Sequence, residues 1–455
     1  MPQLASEKTY DNNYLVGKAT EQYDSYPYPP RDPNEEEKRI VVSHCDYLGK
    51  VNHYCFGGKR SLRDDFRVLV AGGGTGDSLI FLASQLRDCG AEVTYLDISK
   101  NSMEIAQARA EKRGLTNIKW VHGSLLDLEK LDLGTFNYIN CLGVIHHVED
   151  PAEGLRQLRK VLKDDGAMCA SVSAKYGLVG ADHIRKLIDY LADDPTDIQD
   201  CLNTTKGLFP ILPPTNWLRR GQDNISEILA NGESGLLGMF HYAGDPTYNV
   251  KQVYELLAES GFSMIEFAEA KLRYDPQFIV PPTPLTQKIF ELTKEKKAEI
   301  AELLLGSGIK HTFYLSPQTK EPASMSDLDN VPFINDCAEL PETITEVVYY
   351  EKIKDAPVGA ALSIAVAGAN VTLTLGPSTA LIFKYMDRMR SIGEIVDQVL
   401  QDEKLKGQDI DAEVVMTDFQ RLYSAMHTGD LILLRHKSVP PFQSAEEHSV
   451  KTTEG

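Results

Sequence analysis

Five residues between an apolar run and a helical pattern carry the first chemistry in this chain: Gly72-Gly73-Gly74-Thr75-Gly76. They follow FRVLVA, a short strand-like run from Phe66, and precede Leu79, Leu82, Ala83 and Leu86 at helical spacing. Glycines at such a strand-to-helix turn let a ligand lie against backbone amides at a helix N-terminus. A triphosphate-binding loop ends in Gly-Lys-Ser/Thr. Here Gly76-Asp77-Ser78 puts a carboxylate where that lysine would stand, which argues against a nucleoside triphosphate.

Asp97 ends the next strand-like run, AEVTYLD, about twenty residues past the glycines, where a carboxylate can grip two ribose hydroxyls. Two ligand classes share that arrangement, dinucleotides and S-adenosylmethionine, and capping of the following helix is the plain structural alternative. The next two runs end in Gly123-Ser124-Leu125-Leu126-Asp127 and in Asn140-Cys141-Leu142-Gly143-Val144-Ile145-His146-His147-Val148-Glu149-Asp150-Pro151. In this order and spacing the set resembles the class I S-adenosylmethionine-dependent methyltransferases, in particular the small-molecule type with an HHxxDP segment after the fourth strand. The resemblance covers about residues 66 to 267.

The resemblance implies S-adenosyl-L-methionine as cofactor. It implies that Gly72, Gly74 and Gly76 face the methionine and ribose parts with Gly73 beside them, and that Asp97 and Ile98 meet the ribose. Ser124 and Leu125 would meet the adenine and Leu142 the methionine end. One position departs from the family, which usually has an acid two residues before the first glycine; this chain has Val70. Contact with the methionine amino group must then come from elsewhere.

Methyl transfer from a sulfonium is an in-line displacement, so holding the reactants and excluding water matter more than an acid/base pair. An amine or phenol acceptor must still lose a proton. His146, His147 and Tyr26 are the candidate catalytic residues; the histidine pair also begins a helix and could simply orient that turn. In the arm YDSYPYP, Tyr23, Tyr26 or Tyr28 could face the sulfonium or merely pack on the surface. Asn52-His53-Tyr54-Cys55-Phe56-Gly57-Gly58 reads as a packed turn more readily than as a pocket group. Nothing shows HExxH or paired metal spacing, so no metal is expected. Asn140-Cys-Leu-Gly stands where adenine-N6 and glutamine methyltransferases have Asn/Asp-Pro-Pro-Tyr/Phe, which lowers DNA and glutamine as acceptors.

These residues need an α/β core to hold them. Strand-like and helical runs alternate from Phe66 to Ala174, with Ser99 and Asp150 as helix caps, which predicts a doubly wound, Rossmann-like seven-stranded methyltransferase sheet. Residues 1–60 read as an arm or lid over a domain at 61–318. A helical cap insertion at 175–248 is expected to hold the acceptor through Tyr176, Trp217, His241 and Tyr242. A linker at 319–342 precedes a smaller α+β domain at 343–440 of winged-helix type, and a polar tail at 441–455 is expected to be disordered.

Composition narrows the rest. At 455 residues the chain has room for two or three domains. Its 66 acidic residues against 47 Lys plus Arg give a net charge of −19 with no basic block, so nucleic acid is an unfavourable partner. Seven unpaired-looking cysteines suit a reducing compartment, and with no apolar leader or span the expectation is a cytoplasmic protein without a membrane partner. A homodimer is compatible with the C-terminal apolar stripes. The expected activity is methyl transfer to a small organic molecule. A protein side chain such as lysine, or donor and partner binding without catalysis, are the alternatives.

Overall fold

The computed structural model describes residues 12–442 except 64, 242–244, 270, 336, 338–352 and 367–368. Tyr242, the start of the expected C-terminal domain and nearly all of the expected tail lie outside the described residues. The central sheet runs β1 (Arg67–Ala71), β2 (Glu92–Asp97), β3 (Ile118–His122), β4 (Phe136–Cys141), β5 (Leu162–Ser173), β6 (Ser263–Phe267) and β7 (Lys310–Ser316). Its spatial order is β3-β2-β1-β4-β5-β7-β6. The first five strands pair in parallel, while β7 is antiparallel to both β5 and β6. Alternating strands and helices give the parallel part; β7 reverses because it inserts between β5 and β6.

The central strands read as continuous apolar runs because helices cover both faces. Val68 and Val70 face one helical layer with Leu79 and Leu82, and Leu69 and Ile139 face the other with Leu155 and Leu158. Ser99 caps the helix Lys100–Lys112 by accepting from the Ser102 amide, and Asp150 caps the helix Pro151–Val161 through Glu153, as their positions predict.

The N-terminal sixty residues differ from a simple arm. They form α1 (Asn12–Ser25) and α2 (Leu48–Cys55), and every residue of α2 is buried. Asn52-His53-Tyr54 thus belongs to a core helix: the Asn52 side chain accepts the Arg60 amide at 3.0 Å, and Nδ1 of His53 accepts the Leu434 amide at 3.0 Å. The expected linker also holds a strand, β8 (Asn330–Ile334), buried along its length and antiparallel to β11 (Ile432–His436). Proline and acid around it masked that short apolar run, NVPFI. Between β8 and β11 come a hairpin, β9 (Ala361–Val366) and β10 (Ala369–Thr374), and the helices Thr379–Tyr385, Ile392–Gln401 and Ala412–His427. Ile395, Val399, Phe419 and Leu422 form their core, and helix α2 bridges this unit to the sheet.

The described residues between 179 and 240 are mainly helical and carry their own small core around Ile184, Ile188, Leu208 and Phe240. Among the described residues no helix is long and apolar enough to cross a membrane.

Candidate active site

The carboxyl ends of β1, β2 and β4 open on a cavity of about 820 Å³. Its floor is the glycine turn. Gly72 adopts φ +74°, and a Cβ there would stand 2.2 Å from Val144; Gly74 adopts φ +50°, and its Cβ would meet the Tyr28 carbonyl oxygen at 2.7 Å. Only glycine fits between those neighbours.

Asp97 is 9% exposed and lines the cavity. Its Oδ2 accepts the Gly74 amide and its Oδ1 the Ser99 amide, both at 2.8 Å. Burial pushes its carboxyl above the ordinary range, against the pull of these amides. Each oxygen keeps a further lone pair, so the group can take two hydroxyls of one ribose without giving up its hold on the loop. Leu96, Ile98, Leu125 and Leu126 supply the apolar surface an adenine needs, and Ser124 holds its turn by accepting the Leu126 amide at 3.2 Å. A diol site next to an apolar slot, with glycine backbone beyond, fits S-adenosylmethionine part by part.

Eight of the nine expected cofactor residues line this one cavity: Gly72, Gly73, Gly74, Asp97, Ile98, Ser124, Leu125 and Leu142. Gly76 does not; it begins the helix Asp77–Gln85, and its missing Cβ makes room for Ala106. Of the expected catalytic residues only His147 lines the cavity. Its Nδ1 meets Asp245 at 2.7 Å and its Nε2 meets the Tyr23 hydroxyl at 3.3 Å. His146 turns inward, where burial and the neighbouring His147 hold it well below the usual imidazole range. Tyr26 points away, to Gln199 at 3.4 Å. His146, His147 and Asp245 bring three possible ligand atoms within 4.8 Å of one another. The short His147–Asp245 contact has the geometry of a hydrogen bond, since two ligands on tetrahedral zinc sit about 3.3 Å apart.

The N-terminal segment is locked over the donor half. The Thr75 hydroxyl donates to the Pro29 carbonyl at 2.6 Å, and Arg31 grips Asp77 with two bonds at 2.9 and 2.6 Å. Burial raises the Asp77 carboxyl, but Arg31 and Arg109 outweigh it and hold it below the ordinary range. Glu36, 3% exposed, ties the segment to Arg109 and Arg113. Nothing in the sequence marks Arg31 or Glu36 as partners of these residues; Asp77, where a lysine would sit in a triphosphate loop, was the one visible sign.

The rest of the cavity wall does not come from the described residues expected to hold the acceptor. No described residue of 175–248 lines the cavity. Trp217 is 59% exposed, and His241 and Tyr176 lie off the cavity wall. The insertion folds on its own core and bonds instead to the N-terminal segment, through Gln199 to Tyr26 and Asn231 to Tyr28, and to the turn after β4, through Asp245 to His147. The wall opposite the donor comes from Ser43, Cys45 and Lys50, from Glu269 and Thr312 at the ends of β6 and β7, and from Asn335, Cys337 and Asp430 of the C-terminal unit. Lys50 joins all three by donating to the Ala268 carbonyl at 2.6 Å and pairing with buried Asp430 at 2.7 Å.

Residues 69–168 match the model of a methyltransferase domain. An uncharacterised protein of Synechococcus is 27% identical over 363 residues, covering 75% of this chain and 86% of that protein. The ubiquinone biosynthesis O-methyltransferase of Vibrio parahaemolyticus is 28% identical over 128 residues, 27% of this chain and 52% of its own. The chain thus spans about half the length of that named relative. Among solved structures, PKMT2 from Rickettsia typhi in complex with AdoHcy superposes with a TM-score of 0.61 at 17% identity, over 90% of this chain and 77% of that one. The shared fold therefore reaches beyond the matched domain. Strand order and cavity are those of the Rossmann-like methyltransferase fold, residues 69–168 match a methyltransferase domain, and the cavity residues fit S-adenosylmethionine as cofactor.

Proposed function

We propose that the protein transfers a methyl group to a small organic acceptor carrying a protonated nitrogen or oxygen nucleophile. The observation that carries this reading is the continuity of the cavity. One volume of about 820 Å³ joins the donor residues around Asp97 to a wall made by the N-terminal segment and the C-terminal unit. That is within the range of small-molecule sites and leaves space beside a cofactor for a compact acceptor. The named Vibrio relative, a ubiquinone biosynthesis O-methyltransferase, agrees with an acceptor of this kind.

S-adenosylmethionine supplies the activated methyl group when bound. The chain's own residues position, cover and deprotonate. Tyr23 and Tyr28 line the cavity and can present aromatic surface to a sulfonium. Asp245 at Nδ1 orients His147 and leaves Nε2 as the ring's proton acceptor, facing Tyr23. His147, alone or through the Tyr23 hydroxyl, then takes the acceptor's proton as the nucleophile takes the methyl. The C-terminal unit, expected as a winged-helix module, serves in this reading as one wall of the acceptor pocket.

Incubation with methyl-labelled S-adenosylmethionine and fractionated cell extract tests the proposal. Label in the low-molecular-weight fraction, with S-adenosylhomocysteine released, is the expected result. Label in protein moves the acceptor to a side chain. Binding with neither product makes this a donor-binding protein.

A further inference from the structure

Val70 leaves the glycine turn without the acid that its family usually places there, yet a buried carboxyl stands beside that position. On the sheet, Val70 of β1 lies in register with Asn140 of β4, and Val68 with Tyr138. Register partners in a parallel pair point to the same face. Asp46, in the short turn before α2, covers that face. Asn140 donates from Nδ2 to both of its carboxylate oxygens at 2.8 Å, and the Tyr138 hydroxyl donates to Oδ1 at 3.1 Å. The Ser43 hydroxyl donates to Oδ2. The N-terminal segment thus delivers a carboxyl to the strand position next to the missing one.

Asp46 is fully buried, and all of these donors are neutral. A buried carboxylate without a cation is costly, and none of the side chains bonded to Asp46 is a cation. Burial accordingly pushes this carboxyl above its ordinary range. The side open to a partner is the cavity, where Ser43, Ser78 and Asn140 form the wall in front of Asp46. With Nδ2 turned to Asp46, the Asn140 amide presents Oδ1 as its acceptor.

We propose that Asp46, acting through Asn140, receives the α-ammonium of the methionine part of S-adenosylmethionine and so replaces the acid absent at Val70. Asp46 is a positioning residue, and the assignment rests on the reading of this cavity as the S-adenosylmethionine site. Donation from Nδ2 to a carboxylate polarises the Asn140 amide and makes its Oδ1 a stronger acceptor for the ammonium.

The experiment is calorimetry on the full chain with two ligands, S-adenosylhomocysteine and S-adenosyl-4-thiobutyrate, which lacks only the amino group. The wild type should prefer S-adenosylhomocysteine by about tenfold or more. Asp46→Asn should bring that ratio close to one while leaving the affinity for the amine-free ligand nearly unchanged, and adding Val70→Asp should restore the preference. Should Asp46→Asn fail to fold, Asn140→Ser reads the same ratio. A ratio unchanged in the variants, or equal loss of both ligands, overturns the assignment and leaves the cofactor reading standing. Binding of neither ligand by the wild type overturns both.

Discussion

The Tyr23 hydroxyl lies 3.3 Å from Nε2 of His147, joining the first described helix to the turn after β4 across 124 positions of sequence. Asp245 closes the chain from the other side of the ring at 2.7 Å. His147→Ala should lower kcat by about 10²-fold or more, the usual contribution of a positioned base, and Asp245→Asn by a smaller factor. Tyr23→Phe separates a relay from a packing role. If the hydroxyl carries the proton it behaves like His147→Ala, with donor affinity near wild type in calorimetry. Unchanged turnover in all three would assign proton loss to bulk water.

Asp97 holds the loop with the same two oxygens that the proposed function assigns to the ribose. Asp97→Ala therefore removes two ligand hydrogen bonds and the partners of the Gly74 and Ser99 amides together. Donor affinity should fall by roughly 2 to 4 kcal/mol. Calorimetry against S-adenosylhomocysteine measures it. An affinity within threefold of wild type would remove Asp97 from the ribose site.

The N-terminal segment separates into a cover and an anchor. Deleting residues 1–26 removes Tyr23 and the helix above the cavity but keeps Arg31, Glu36 and α2, so thermal stability should stay close to wild type while turnover falls. Glu36→Ala is the opposite case. It leaves Arg109 and Arg113 buried beside an empty position, at a cost of about 3 to 5 kcal/mol. Chemical denaturation of the two variants distinguishes these roles.

The donor half was legible because its residues are local: a glycine turn, an acid at the end of the next strand and a capped helix are each set by a few neighbouring positions. The opposite wall of the cavity was not, because it joins Ser43, Thr312, Cys337 and Asp430, and no periodicity links such distant positions. The strand β8 was hidden by the proline and acids around it, and α2 by reading His53 and Tyr54 as a turn. Tyr176, Trp217, His241 and Tyr242 suggested a pocket in 175–248, but Trp217 is mostly exposed and does not line the cavity. Aromatic content marks surface available for contact, and only the fold says on which side.

The proposed placing of the acceptor against this wall is testable. Thr312 on β7 lines the cavity beyond the donor residues and is 6% exposed. Thr312→Phe should raise the acceptor's KM or lower turnover by about tenfold with donor affinity kept, whereas Trp217→Ala should leave both near wild type. Loss of acceptor kinetics in Trp217→Ala with none in Thr312→Phe would return the acceptor to the insertion.

The junction of α2 with the C-terminal unit should make stability fall in mild acid. His53 and His427 pack edge to face with centroids 5.0 Å apart, beside Lys50, Lys271 and the Asp430 carboxylate. Burial lowers both imidazoles, with the two lysines acting in the same direction and Asp430 against them for His427, which is pushed down to about 4. A histidine whose folded pKa lies below its unfolded value, about 6.5, binds its proton first in the unfolded chain. The stability tied to keeping it neutral is therefore complete above about pH 6.5 and is lost as pH falls from there towards 4. Each pH unit in that window costs about 1.4 kcal/mol per histidine, so His427 alone accounts for about 3 kcal/mol between pH 6.5 and 4. Urea unfolding at pH 7, 6 and 5 should show a steadily lower midpoint, and His427→Gln should flatten the slope by close to one proton. A slope unaffected by His427→Gln would place the acid sensitivity elsewhere, with the carboxylates rather than at this junction.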